Sequence, residues 1–141
     1  MPSDMQTAPV SKKGVWAGRV ISGLVILFLA FDVVFKFIKP APPPVVEAMA
    51  HVGWAPSLAP VLGIVLLVST AFYAIPNTSV LGAILLTGYL GGAIATHLRV
   101  GDPLFSHVLF PTYVGVLLWG GLYLRESRLR ALIPLRSLKA T

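Results

Sequence analysis

Two groups of polar residues interrupt an otherwise apolar sequence, and the first is a pair of opposite charges. Asp32 and Lys36 lie four residues apart, a spacing that brings two side chains to one face of a helix, where they can pair. Ionisable groups within a membrane-spanning stretch are costly and by default suggest a function. The pair is therefore interpreted either as part of a functional site or as a structural ion pair near the membrane surface, with Lys36 extending toward water.

The second group surrounds a predicted tight turn and contains His97, Arg99, Gly101, Asp102, Pro103 and His107. Glycine and proline at this spacing favour a turn. Asp102 is predicted to cap the following helix, with Pro103 at its first position. Arg99 suits the carboxyl end of the preceding helix. Arg99, Asp102 and Pro103 are therefore predicted to be structural residues of the turn.

His97 and His107 are less well explained by the turn. An imidazole titrates near neutral pH and can hydrogen-bond a carbonyl oxygen of a ligand. The simpler alternative for each residue is a hydrogen-bonded histidine at the membrane surface. Histidine and carboxylate ligands are also available for a metal ion, but the sequence contains no HxxxH or HxxE spacing, so no metal site is predicted.

Four apolar stretches must position these residues. Hydrophobic residues make up 56% of the 141 residues and charged residues only 11%, with a mean hydropathy of +0.84. Each stretch is close to the ~20 residues that cross ~30 Å of hydrocarbon, and helix is the only suitable structure because an open strand cannot satisfy its backbone in lipid. The stretches run from about Val15 to Ile38, Leu58 to Ile75, Ser79 to Leu98 and Leu104 to Leu124.

The predicted fold is therefore an all-α, integral membrane four-helix transmembrane bundle over residues 15–124. A mobile polar N-terminal tail is expected over residues 1–14, and a basic C-terminal tail over residues 125–141. Gly88 and Gly92 have the small-xxx-small spacing that lets helices approach closely. This spacing indicates either tight packing inside a monomer or a homodimer interface.

The distribution of positive charge predicts the orientation in the membrane. Eight lysines and arginines flank the side with both termini, whereas Lys36, Lys39 and Arg99 lie on the opposite side. By the positive-inside rule both termini are cytoplasmic, with the bundle in the inner (cytoplasmic) membrane of the cell. The loop from Lys39 to Ser57 is then extracytoplasmic, with a short interfacial helix predicted at Val45–Ala50. The net charge of +6 forms no continuous basic face, so the partner is the lipid bilayer and not nucleic acid.

This topology places both polar groups on the extracytoplasmic side. If the first, third and fourth spans are neighbours, Asp32, His97 and His107 converge at the mouth of the bundle, and bundle interiors commonly bind ligands. Aromatic side chains in the spans are candidates either for lining a pocket for a flat lipophilic molecule or for anchoring the spans in lipid and at the membrane surface. The predicted ligand-binding residues are Asp32, Lys36, Tyr89, His97, His107 and Tyr113.

The stretch LLTGYLGGAIATHLRVGDPLFSH, from Leu85 to His107, resembles the DoxX-like family of small bacterial membrane proteins. The similarity covers roughly residues 19–134, and Val34 departs from it where a glycine is expected before the lysine. The resemblance implies a four-helix membrane bundle, and better-known relatives are linked to quinone-coupled sulfur oxidation and redox-defence complexes. It continues through Phe31-Asp32 with Lys36, Ile75-Pro76, Phe110-Pro111 and Leu118–Arg125.

The leading hypothesis is a quinone- or lipid-associated subunit of a membrane redox system, in which a histidine donates to a quinone carbonyl; it rests partly on family analogy. No intrinsic cofactor is predicted, only a quinone ligand. The chain has no cysteine, which excludes thiolate and disulfide redox chemistry, so electrons must come from a redox partner protein. The alternatives are a non-enzymatic binder or transporter of a small lipophilic molecule, and a membrane scaffold for a partner protein. The sequence does not decide whether the protein is an enzyme.

Overall fold

The computed structural model describes residues 11–133, which form helices and, within that range, no strand. Short 3-10 turns at Pro56–Leu58 and Pro76–Thr78 lead into the third and fourth helices, and a π-helical turn at Leu104–Val108 leads into the fifth. The helices are α1 (Lys12–Phe37), α2 (Pro43–His51), α3 (Ala59–Ala74), α4 (Ser79–Arg99), α5 (Phe110–Arg125) and α6 (Ser127–Leu132).

Among the described residues, four helical segments are long and apolar enough to cross a membrane. They contain α1, α3, α4 and α5, which confirms the predicted all-α membrane bundle. The α2 helix lies where a short interfacial helix was expected. We call the end of the bundle with Lys12 and Arg125 the termini end, and the end with α2 and the α4–α5 turn the loop end.

The chain becomes helical three residues earlier than expected. The Ser11 hydroxyl accepts a hydrogen bond from the amide of Gly14 at 3.0 Å and so caps α1 at Lys12. At the other terminus, α6 occupies part of the segment expected to be a basic tail. The remainder of the two predicted tails, residues 1–10 and 134–141, lies outside the described residues.

The four spans pack in a ring in which each helix contacts two others. The α1 helix packs against α3 and α5, and α4 packs against the same two helices. Thus α5 contacts both α1 and α4, as the predicted convergence of Asp32, His97 and His107 requires. The α1 and α4 helices, however, are not direct neighbours and face each other across the ring. The core between them consists mainly of leucines and one tyrosine, the most completely buried being Leu66, Tyr73, Leu86, Leu118 and Leu122.

Two glycines allow the closest approaches between helix backbones. A Cβ added to Gly82 of α4 would lie 2.1 Å from the backbone nitrogen of Tyr73 in α3, and one added to Gly18 of α1 would lie 2.7 Å from the carbonyl oxygen of Gly121 in α5. A Cβ added to Gly88 or Gly92 would meet nothing within 4 Å. The interpretation that Gly88 and Gly92 pack tightly inside the monomer is therefore wrong, because α4 presents them on its open side.

A small polar network lies inside the bundle toward the termini end. The Tyr73 hydroxyl donates to the carbonyl of Leu118 at 2.7 Å and lies 3.0 Å from the hydroxyl of Ser22. Because the Tyr73 hydroxyl donates its one hydrogen to the Leu118 carbonyl, the Ser22 hydroxyl is the donor of the second bond. The network joins α1, α3 and α5 with its polar groups satisfied, as buried groups in lipid must be.

Candidate functional site

Two histidines from different parts of the chain meet at the loop end on one carboxylate. Oδ1 of Asp102 lies 2.5 Å from Nε2 of His51, and its Oδ2 lies 2.6 Å from Nδ1 of His97. The Asp102 side chain is only 7% exposed, whereas that of His51 is 56% exposed. We call these three residues the His–Asp–His bridge. It ties the end of α2 to the turn between α4 and α5.

Backbone geometry at two turns brings the bridge together. Gly101 has φ +74° in the α4–α5 turn, and Gly53 has φ +76° just after α2, a conformation that favours glycine. The Arg99 guanidinium donates to the carbonyl of Val52 and lies close to Gly53. Arg99 therefore fixes the end of α2 beside the bridge, in addition to lying at the carboxyl end of α4.

The prediction that Asp102 caps the next helix is wrong. Pro103 precedes the π-helical turn at Leu104–Val108, and no side chain caps that turn. The reason is competition for the carboxylate, since His51 and His97 occupy one oxygen each. Asp102 and Pro103 still lie in the turn, as expected, but Asp102 stabilises a contact between distant segments.

The bridge also defines the chemistry of His97. Hydrogen bonds from His97 and His51 hold the pKa of Asp102 below its usual value of 3.8, so Asp102 is ionised at neutral pH. An ionised carboxylate only accepts hydrogen bonds, so Nδ1 of His97 and Nε2 of His51 must carry hydrogens. Nε2 of His97 is then the nitrogen left for a ligand, as an acceptor when the ring is neutral and a donor when it is protonated.

His107 lies next to His97. The two ring centroids are 6.0 Å apart with an edge-to-face orientation. Nδ1 of His107 is 2.8 Å from the Ser106 hydroxyl, within the π-helical turn. Across residues 11–133 there is no cluster of three or more histidines, aspartates or glutamates that could hold a metal ion. The structure thus pairs His97 with His107 in a polar group suited to hydrogen-bonding.

Asp32 and Lys36 form the expected pair, with Nζ of Lys36 2.6 Å from Oδ1 of Asp32. The lysine is the more buried partner, at 15% exposed against 41% for the aspartate. The expectation that Lys36 extends toward water is therefore wrong. The pair borders a recess of about 270 Å³ between α1 and α2, lined also by Phe35, Val45 and Met49. Charge in this recess lies beside apolar side chains.

A longer apolar groove runs between α1 and α5. It has a volume of about 390 Å³ and is lined by side chains such as Val25 and Phe28 on one helix and Phe110, Tyr113 and Leu117 on the other. The rings of Phe28 and Phe110 meet edge-on at 5.8 Å. The Tyr113 hydroxyl donates to the carbonyl of Phe105 at 2.9 Å, so its polar atom is satisfied at the loop end of the groove.

The Asp32–Lys36 pair and the His97–His107 pair each lie about one helical turn beyond this groove. Asp32 is four residues after Phe28 on α1, and a residue four further along a helix lies on the same face. His107 precedes Phe110 by three residues at the start of α5. The apolar groove therefore ends, toward the loop end, near Asp32 on one side and the histidine pair on the other.

The model of the DoxX-like family matches residues 20–121 of the chain. The protein belongs to the DoxX-like family. No curated protein and no solved structure matches it. The matched range of this DoxX-like protein contains the groove, both polar groups and the His–Asp–His bridge, whereas Arg125 and α6 lie beyond it.

Sequence reasoning missed one site residue and did not group the others as the structure does. His51 lies in the loop from Lys39 to Ser57, which the charge pattern places on the extracytoplasmic side, but no motif links a histidine in one loop to an aspartate in another. In this DoxX-like protein, Tyr113 lines the α1–α5 groove. Tyr89 on α4 is half-buried and packs against the core. Asp32 binds Lys36 rather than either histidine.

Proposed function

We propose that this protein binds a lipophilic molecule with a carbonyl-bearing headgroup, of quinone type, as a subunit of a membrane redox system. The observation that supports the proposal best is the relationship between the groove and the polar groups. The apolar groove between α1 and α5 ends about one helical turn from Asp32 on α1 and from His107 in the π-helical turn before α5, and His97 lies beside His107. This arrangement suits a molecule with a long apolar tail and a compact polar head.

The groove suits the tail. Its lining residues, including Val25, Phe28 and Leu117, are apolar and lie within membrane-spanning segments. Its volume of about 390 Å³ falls within the range of roughly 300–1,000 Å³ that is typical of ligand pockets. A flexible tail in this groove exchanges contact with bulk lipid for contact with aromatic and branched side chains, so the affinity must depend on packing and on the headgroup.

The polar groups suit the head. Asp102 holds His97 through Nδ1, which leaves Nε2 to donate to a carbonyl oxygen when the ring is protonated. The Asp32 carboxylate, which is 41% exposed, can accept from a hydroxyl on the reduced form of such a molecule. The residues present therefore fit both a carbonyl-bearing and a hydroxyl-bearing headgroup.

The proposal includes a redox partner protein, because a chain without cysteine has no thiol with which to pass electrons itself. It also places the bundle in a bacterial inner membrane. Both termini then lie in the cytoplasm, since most lysines and arginines flank the termini end. The headgroup then lies near the extracytoplasmic surface, and the partner reaches it from that side or through the membrane.

The proposal is tested by binding of a short-tailed quinone to the purified protein in lipid nanodiscs, followed by native mass spectrometry and by equilibrium titration. Leu117→Trp fills the groove and is expected to weaken binding at least about tenfold, equivalent to ~1.4 kcal/mol. Val116→Trp is the matched control, because Val116 is 65% exposed on the adjacent, lipid-facing position of α5. His97→Ala and Asp32→Asn are each expected to weaken headgroup binding.

Three other outcomes distinguish the alternatives. Equal affinity in the wild type, His97→Ala and Asp32→Asn would refute the headgroup assignment. Recovery of a different lipophilic molecule from the native membrane, lost in Leu117→Trp, would instead support a binder or transporter. A co-purified membrane protein with no bound ligand would support a scaffold.

A further inference from the structure

Two buried arginine nitrogens at the termini end have no hydrogen-bond acceptor among residues 11–133. They are Nε of Arg125 and one terminal nitrogen of Arg130. A guanidinium carries a permanent positive charge and donates only. Buried charged donors without partners are strongly unfavourable, and each one in a native protein calls for an explanation such as a bound ion.

Both arginines are held in place by the fold. Arg125 is the last residue of α5, and its guanidinium carbon lies 5.4 Å from the centroid of the Tyr73 ring, a cation–π distance. Tyr73 is itself fixed by the hydrogen-bonded network inside the bundle. Arg130 lies on α6, which is anchored by the neighbouring Leu129, 6% exposed and part of the core. Packed neighbours therefore fix the Arg125 side chain and the helix that carries Arg130.

In the part of the chain that the structure describes, no carboxylate forms an ion pair with either arginine. Glu126 is the single described acidic residue at this end, and its Oε1 accepts from the amide of Arg128 at 3.3 Å as the cap of α6. The same end carries further positive residues, namely Lys12, Lys13 and Arg19. Within residues 11–133, therefore, the two nitrogens have no anionic partner.

We propose that Arg125 and Arg130 bind a phosphate group at the termini end of the bundle, from an anionic phospholipid headgroup or from free inorganic phosphate. The planar guanidinium matches phosphate oxygens in pairs of parallel hydrogen bonds, which lysine does not. The end of a membrane span lies at the depth of lipid phosphates, and anionic lipids are attracted to basic residues there. This site is independent of the proposed quinone-type site, which lies at the opposite end of the bundle.

Native mass spectrometry of the full-length protein tests the site, with nanodiscs containing equal amounts of phosphatidylglycerol and phosphatidylcholine. The wild type is expected to retain one phosphatidylglycerol preferentially. Arg130→Gln is expected to reduce that retention about tenfold, as loss of a charge-assisted hydrogen bond implies. Arg128→Gln is the matched control, because it removes the same charge from an exposed position of the same helix.

Two further experiments identify the source of the phosphate and test whether a variant has a folding defect. Inorganic phosphate added at millimolar concentration displaces the lipid if a free anion is the ligand and leaves it bound if the headgroup is. Arg125→Lys keeps the charge but loses Nε, so it is expected to bind more weakly than the wild type at an unchanged melting temperature. Equal losses in Arg130→Gln and Arg128→Gln, or equal retention of the two lipids by a wild type that also binds no inorganic phosphate, would overturn the proposal.

Discussion

The carboxylate of Asp102 and the imidazole of His51 meet at 2.5 Å although 51 residues separate them along the chain. The second oxygen of Asp102 is bound by His97, so one side chain connects α2 to the α4–α5 turn. Arg99 adds a second connection by donating to the carbonyl of Val52. The short α2 helix is therefore fixed to the bundle by polar contacts at its carboxyl end, above the recess that contains Lys36.

Replacing Asp102 tests this attachment directly. In Asp102→Asn the side chain keeps one acceptor oxygen and presents an amide donor to the other imidazole, so that imidazole must change its tautomer to keep its bond, and both bonds lose the carboxylate charge. Hydrogen–deuterium exchange is expected to become faster in residues 43–52 and to stay unchanged in the core of α4 and α5. Glu47→Gln is the control, because Glu47 is an exposed carboxylate on α2 itself. Identical exchange in the two variants would show that the bridge does not hold α2.

The same contact predicts how the protein responds to acid. Its histidine partners lower the pKa of Asp102 from 3.8, so the contribution of Asp102 to stability is fully present above that value and is lost as pH falls through the lower folded pKa. Each imidazole keeps the N–H group that donates to Asp102 whether the ring is neutral or charged. Protection factors in residues 43–52 should therefore hold from neutral pH to about 4 and fall only below it. Loss of protection near pH 6 would contradict this prediction.

The fold was predictable because the membrane restricts the choice of structure. An apolar stretch of about 20 residues crosses lipid as a helix, because only a helix satisfies its backbone within one segment. The observed spans differ from the predicted ones by a few residues at their ends. The start of α1 at Lys12 was missed because Ser11 acts as a cap, and a serine among polar residues gives no distinctive signal. The short α2 helix was expected, but its attachment to the α4–α5 turn was not.

The candidate site was predictable only in part. The Asp32–Lys36 pair is a local feature, since residues four apart on a helix must be neighbours, and the sequence predicted it. The bond between His51 and Asp102 depends on how two loops meet, which helix periodicity does not encode. The role of Gly88 was misjudged for the same reason, because a small-xxx-small spacing shows that a close approach can occur but not on which side of the helix.

Gly82 and Gly88 are therefore expected to respond in opposite ways to alanine. In Gly82→Ala the new methyl group would lie 2.1 Å from the Tyr73 backbone nitrogen, and backbone cannot move aside as a flexible side chain does, so the loss should reach about 3 kcal/mol or prevent folding. Gly88→Ala places its methyl group in open space and should be neutral or stabilise the helix by up to ~1 kcal/mol. Melting temperatures in detergent measure both effects.

The Gly88 variant also bears on self-association. A bulkier substitution, Gly88→Ile, adds no contact within one chain and should leave the monomer folded. If a second copy packs on this face, the same substitution lowers the dimer fraction in cross-linking or single-molecule photobleaching while the melting temperature of the monomer is unchanged. A monomer in both wild type and variant would leave this face in contact with lipid alone.

The buried hydroxyl of Tyr73 should contribute more to stability than the exposed hydroxyl of Tyr113. In Tyr73→Phe the Leu118 carbonyl loses its side-chain donor and the Ser22 hydroxyl loses its acceptor, in a place that water does not reach. A loss of about 1–2 kcal/mol is expected, the upper range for hydrogen bonds between membrane helices. Tyr113→Phe is the matched control, since it removes one bond to the Phe105 carbonyl from a half-exposed ring at the loop end. Reversible unfolding in mixed micelles compares the two variants, and an equal effect would mean that the network around Tyr73 gives the bundle no stability beyond apolar packing.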